Sequence, residues 1–124
     1  MKVILKTRRF CRWMRKTQLN DAMLRTAVTE MEDGLVDADL GGNIFKKRVA
    51  LPGRGKSGSV RTLIATKKED RWVFMFGFEK TERDNITQAE LSAIQGLARD
   101  YLEFSEEVLL AVIASGQLEE VSHD

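Results

Sequence analysis

Apolar and polar positions along this chain of 124 residues change rhythm several times, and each rhythm predicts a different element. Val3-Ile4-Leu5 is a short apolar run that suits a first strand. Phe10, Trp13 and Met14 then sit at helical spacing among basic residues, so residues 10–16 suit a short basic helix packing those three side chains. Ala22, Met23, Ala27, Val28 and Met31 recur at three- and four-residue steps. Asn20 ahead of them suits an N-cap, and Gly34 behind them a C-terminal stop.

The middle of the chain is strand-like. Residues 43–51 read as a strand that ends at Pro52, the only proline. Residues 52–58 carry three glycines and two cations and read as a turn-rich loop. Residues 59–67 are rich in β-branched and aliphatic side chains, and Lys68-Glu69-Asp70 makes a polar turn. Residues 72–78 are almost wholly apolar and aromatic, as expected of a central strand buried on both faces. Short connections join these three strands as an antiparallel meander, and strict alternation puts Phe74, Phe76 and Phe78 on one face with Trp72. Helical spacing returns at Ile94, Leu97, Ala98, Tyr101 and Leu102, behind a Thr87-x-x-Glu90 capping box. Residues 108–113 suit a second short helix before Gly116. The order predicts one α+β domain over residues 1–124. It has a small antiparallel sheet, N-terminal helices and a C-terminal helix, with one core.

Composition narrows the class. The longest apolar run, residues 108–114, is far short of the roughly 20 residues that a membrane span needs. The apolar start is too short for a signal peptide, and a single cysteine, Cys11, cannot form an internal disulfide. A cytoplasmic protein without membrane contact is expected. The net charge of +1 conceals a segregated chain. Residues 1–25 carry eight Lys/Arg against one acid, and residues 46–83 eleven against four. Residues 26–45 hold five acids and no base, and residues 84–124 nine acids against Arg99. Such separation suits one face turned to a polyanion and another that stays solvated or meets a basic partner.

The glycine-rich loop loosely echoes a nucleotide-binding P-loop, but the context is wrong. Ala50 stands at the first glycine position, Pro52 removes an amide donor, and a strand-like segment follows where a helix is required. The better reading is a cationic arm beside a sheet. Lys46 and Arg48 share one strand face and Lys47 takes the other; Arg54 and Lys56 lie on the loop, and a hairpin returns Arg61 towards them. Lys80 and Arg83 follow the third strand and join from its end. Lys47 and the Lys67-Lys68 pair are expected to be solvated lysines guarding an edge strand. Phe78, beside Lys80, is the one aromatic nominated to stack on an RNA base.

Several chemistries drop out. One histidine, His123, gives no histidine acid/base pair, and with Cys11 it offers no metal-ligand spacing, so no metal or cofactor is expected. RNA cleavage by this chain would use the ribose 2′-OH as nucleophile, with lysine and arginine stabilising the crowded phosphate charge. A lysine crowded by other cations has a reason to titrate low and serve as a base.

Residues 46–50, the loop Gly53-Arg54-Gly55-Lys56-Ser57-Gly58, Arg61-Thr62-Leu63-Ile64 and Phe76-Gly77-Phe78-Glu79-Lys80, continued by Glu82-Arg83-Asp84-Asn85-Ile86, resemble the RelE-like toxins of type II toxin–antitoxin modules. The likeness is greatest to the HigB-type, phage-derived (Gp49-like) branch of the RelE/ParE superfamily, and it covers roughly residues 43–90. It implies a microbial-RNase-like α+β fold and a metal-independent endoribonuclease that cuts mRNA on the ribosome and so inhibits translation. It also implies a cognate antitoxin, often a small helix-turn-helix protein. By motif position, Lys56 and Arg61 would contact the scissile phosphate, and Lys80 would stabilise charge or assist proton transfer. Lys46, Arg48 and Arg54 would hold RNA. Many relatives carry a tyrosine near the site; this chain has Phe78 there, and its one tyrosine, Tyr101, lies in the C-terminal helix, so the general base stays unassigned.

Two other readings stand beside this one. ParE-type members of the same superfamily act on DNA gyrase, and a non-catalytic module would use the basic face for phosphate contacts alone. The acidic, partly apolar residues 106–121 are expected to complete the core.

Overall fold

The computed structural model describes residues 2–51 and 58–123. Its elements are β1 (Val3–Thr7), α1 (Arg8–Met14), α2 (Asp21–Glu32), β2 (Ala38–Gly41), β3 (Ile44–Val49), β4 (Val60–Thr66), β5 (Arg71–Glu79), α3 (Gln88–Glu103), α4 (Glu106–Ala114) and β6 (Leu118–Glu120). The strands form one six-stranded sheet in the order β2-β3-β4-β5-β1-β6. The α+β class read from the sequence is borne out.

Local chemistry sets the helix boundaries. The Asn20 side chain accepts from the Met23 amide to start α2, and Gly34 takes φ +93° just past its end. Thr87 and Glu90 cap α3 reciprocally, and the Ser105 side chain accepts from the Val108 amide to start α4. Asn20, Gly34 and the Thr87–Glu90 box were visible as motifs, whereas the Ser105 cap, which starts α4 at Glu106, was not read.

The sheet departs from expectation in three ways. It is not purely antiparallel, because β1 pairs parallel with β5, Ile4 opposite Trp72 and Leu5 opposite Val73. Two short strands went unread. β2 forms a hairpin with β3 through Gly41, Gly42 and Asn43, all at positive φ, and β6 lies antiparallel to β1 at the far edge. Consequently β3 is not an edge strand, and Lys47 guards nothing: it is buried on the α2 face, its Nζ 2.8 Å from Glu30 Oε1. Lys67 and Lys68 sit exposed in the β4–β5 turn, with the Lys68 ammonium 4.8 Å from the centre of the Phe45 ring.

The third departure is a bulge in β5. Leu63 faces Phe76 while Ile64 faces Phe74, so Met75 is an extra residue in the β4–β5 pairing. Alternation is therefore broken. Trp72 and Phe74 point to the α1/α2 side, whereas Met75, Phe76 and Phe78 point to the α3/α4 side. The four aromatics do not share a face. Thr7 ties the irregularity in place: its hydroxyl accepts from the Phe10 amide at the start of α1 and donates to the Met75 carbonyl at 3.3 Å.

The bulge also divides the interior. Phe10, Leu24, Val28, Met31, Ile64, Trp72 and Phe74 fill one apolar cluster under α1 and α2. Leu5, Leu63, Val73, Phe76, Phe78, Ile94, Ala98 and Leu118 fill a second under α3 and α4. Both faces of the sheet carry a core where a single core was expected, and β5, at the centre, contributes to both. Each large apolar side chain so buried is worth about 1.5–3 kcal/mol relative to exposure.

Candidate nucleic-acid interface

The β3–β4–β5 register fixes which cations share a face. Arg48 lies directly opposite Arg61, and Arg61 lies opposite Phe78; Lys46 lies opposite Leu63, which faces Phe76. Cross-strand partners project to the same side of a sheet. Lys46, Arg48 and Arg61 therefore stand on the α3 side, and Lys47 on the α2 side, as the alternation in β3 predicts.

Placing two arginines opposite each other costs stability unless something negative lies between them. The fold offsets one of the two. Arg48 pairs with Asp37, Nε to Oδ1 at 3.3 Å, at the entrance to β2. Arg61 has no carboxylate partner among the described residues, and its guanidinium donates to the Ser59 carbonyl at 3.1 Å. It is half-buried against the sheet. An arginine fixed in this way keeps further N–H donors for a phosphate.

Lys80 is exposed at the end of β5, where Val60 of β4 faces Glu79. A tight turn holds this corner: the Glu82 and Arg83 amides donate to the Glu79 carbonyl, and the Glu82 carboxylate accepts from the Glu79 amide. Lys80 thus sits at the same end of the sheet as Arg61, two residues beyond the residue Arg61 faces, or about 7 Å along the strand. The structure brings Arg48, Arg61 and Lys80 to one end of the sheet, with Lys46 farther along β3. Arg54 and Lys56 lie outside the described residues, as does most of the glycine-rich loop.

Two expected contacts take other roles. Phe78 is only 2% exposed, its ring centre 6.2 Å from that of Phe76 within the α3-side core. A ring so buried presents no face to a base, and the stacking role read from its position beside Lys80 is corrected. Arg83 forms a two-pronged bridge to Glu90, both N–H···O distances 2.9 Å. Glu90 also accepts from the Thr87 amide to complete the cap of α3. These hydrogen bonds, the one from Arg83 foremost, pull the Glu90 carboxyl down to about 2. Arg83 pins the β5–α3 connection to the helix and so holds the turn bearing Lys80.

The sequence reading also passed over α1 as a site. Trp13 covers Gly77, where an added Cβ would fall 2.2 Å from the indole. Its neighbours Arg8, Arg9, Arg12, Arg15 and Lys16 are all exposed, and the first turn of the helix has no acid. Arg8 and Arg9 occupy a helix N-terminus, where the macrodipole disfavours cations. That misplacement is a signal only once the helix start is placed at Arg8. Arg8 is accounted for, since it reaches the Ser115 and Gly116 carbonyls at the end of α4. Arg9 instead lies over the Phe76 ring, 4.6 Å from its centre.

A mixed six-stranded sheet with cations gathered at one end and a basic helix beside it marks this small α+β protein. The chain belongs to the RelE toxin family: the family described as the RelE toxin of the RelE/RelB toxin–antitoxin system matches residues 1–121. No curated protein matches it. No helix among the described residues is long and apolar enough to cross a membrane.

Proposed function

We propose that this toxin is an endoribonuclease that cuts messenger RNA on the ribosome, of the HigB-type branch, and that a small antitoxin neutralises it. The observation that carries the reading is the opposition of Arg48 and Arg61 on the α3 side of the sheet, with Lys80 at the same end. Among the described residues only Arg48 of the two is offset, by Asp37, whereas a ribose-phosphate backbone would give Arg61 the charge-assisted hydrogen bonds it lacks. In the cleavage step the 2′-oxygen attacks its own phosphorus as the bond to the 5′-oxygen breaks. A 2′,3′-cyclic phosphate and a 5′-hydroxyl result; the 2′-OH loses a proton and the leaving oxygen gains one. Arg61, with Lys56, offsets the charge that builds on the phosphoryl oxygens, and Lys80 serves the leaving oxygen. Lys46, Arg48 and Arg54 hold the strand on either side.

Induction in a bacterium tests this. Protein synthesis should stop first, and transcript 5′ ends should map inside translated codons. Replication arrest with intact messages would assign the chain to gyrase inhibition instead. Arrest of neither, with RNA retained on the protein, would leave a binding module.

A further inference from the structure

Between α1 and α3, beside the end of β1, lies a cleft of about 150 Å³ that the cleavage scheme does not use. Its walls include Phe76, Ile94, Leu97 and Tyr101, and Arg9 and Gln117 stand among its polar lining. We infer that this cleft takes one unstacked nucleobase of single-stranded RNA, with Arg9 as the stacking platform at its mouth. The inference rests on the reading of the chain as an RNA-cutting toxin and adds a base subsite to it.

Four observations point the same way. The cleft is below the roughly 300–1,000 Å³ of pockets that enclose whole ligands, so it suits one flat ring system better than a peptide or a larger substrate. Its walls are apolar and aromatic, as a base face requires, while the exposed Gln117 carboxamide offers both a donor and an acceptor to a base edge. Arg9 lies on Phe76 and has no carboxylate partner among the described residues. A guanidinium stacked on a ring turns its other face outward, where a base can lie on it and a phosphate can meet its edge. Leu97 is 48% exposed at this surface, an apolar side chain that a bound ring would cover.

Position links the cleft to the cation face. Phe76 and Phe78 are neighbours on the α3 side, and Phe78 faces Arg61. A base lying on the outer face of Arg9, which covers the Phe76 ring, has its backbone on the side of the sheet that carries Arg61. Arg83, 5.9 Å from the centre of the Phe76 ring, has its charge offset by Glu90, so Arg9 is the arginine at this ring left for RNA.

The test uses the intact toxin and ribosomes programmed with a labelled message. Each of the three A-site nucleotides is made abasic in turn, with its 2′-OH retained. One abasic position should weaken binding about tenfold, within the range that loss of one stacked base produces. Leu97→Trp, which fills the cleft from an exposed position, should weaken binding of the intact message to a similar extent. It should lose nothing more with that abasic message. Arg9→Gln, which keeps a polar side chain but removes the planar cation, supplies an independent second variant. Equal affinity for intact and abasic messages, with Arg61→Ala still weakening both, overturns the base pocket and leaves the cleavage reading standing. Binding indifferent to Arg61→Ala as well as to every abasic position overturns both.

Discussion

Arg48 and Arg61 face each other across β3 and β4, and only Arg48 has a carboxylate, Asp37, beside it among the described residues. Like charges placed directly opposite in a sheet oppose folding by some tenths of a kcal/mol, up to about 1. Arg61→Gln should therefore leave the melting temperature unchanged or raise it, while abolishing growth arrest on induction. Thermal melting of the purified variant beside a growth assay separates the two effects. A variant that melts several degrees lower and loses toxicity only in proportion to its folded fraction would make Arg61 a structural residue.

Gly77 is required by Trp13 rather than by a turn. The bulge at Met75 resets the alternation of β5, so that position 77 faces α1, and the indole occupies the space where a Cβ would stand. Gly77→Ala should cost about 1–3 kcal/mol, the usual penalty for overpacking. Trp13→Leu should remove part of the clash, so the double variant should be more stable than the sum of the two losses predicts. Denaturant unfolding of the four proteins measures the coupling. Strict additivity would mean that the glycine serves some other need.

The same bulge marks the boundary of what the sequence disclosed. Helix ends were legible because their chemistry is local: Asn20 and Gly34 bracket α2, and Thr87 and Glu90 are three residues apart. The division of Lys46 and Arg48 from Lys47 was legible too, since period two holds through β3. The facing of Phe76 was not, because an extra residue in a strand appears only once its partner is known. β6 was hidden by its length of three residues, and the parallel β1–β5 pair by a separation of more than sixty positions. Arg9 fell just ahead of the helix read over residues 10–16, whereas α1 begins at Arg8, and its seat on Phe76 joins residues that only the folded chain brings together.

The Arg83–Glu90 bridge makes a prediction about acid. Hydrogen bonds hold the Glu90 carboxyl at about 2, below the value near 4.3 expected of an unfolded glutamate. A carboxyl with a lowered folded value stabilises the native state above its unfolded value, and that contribution fades as pH falls towards the folded one. Glu90→Gln can still cap α3, because an amide oxygen accepts as a carboxylate does. Its melting temperature should lie below that of the parent at pH 7, and the gap should close as pH falls from about 5 to about 2. A gap that stays constant over this range would mean that the charge on Glu90 adds nothing and the cap everything.

Cys11 is the chain's one thiol, and it is buried beside Glu119, whose carboxylate lies 3.3 Å from its sulfur. Burial first, then the hydrogen bond and the negative charge of Glu119, push the thiol up to about 11. The reactive species is the thiolate, which at pH 8 should be scarcer in the folded protein than in the unfolded chain, where a thiol titrates near 8.5. Alkylation by iodoacetamide at pH 8 should therefore run at least tenfold slower on the native toxin than in guanidinium. Glu119→Gln removes the charge while keeping a hydrogen-bond partner, and it should speed the native reaction. Lys6 and Arg15, whose positive charges favour the thiolate, would then act without that opposition. A native rate equal to the unfolded one would show that the sulfur is neither shielded nor held protonated by its neighbours.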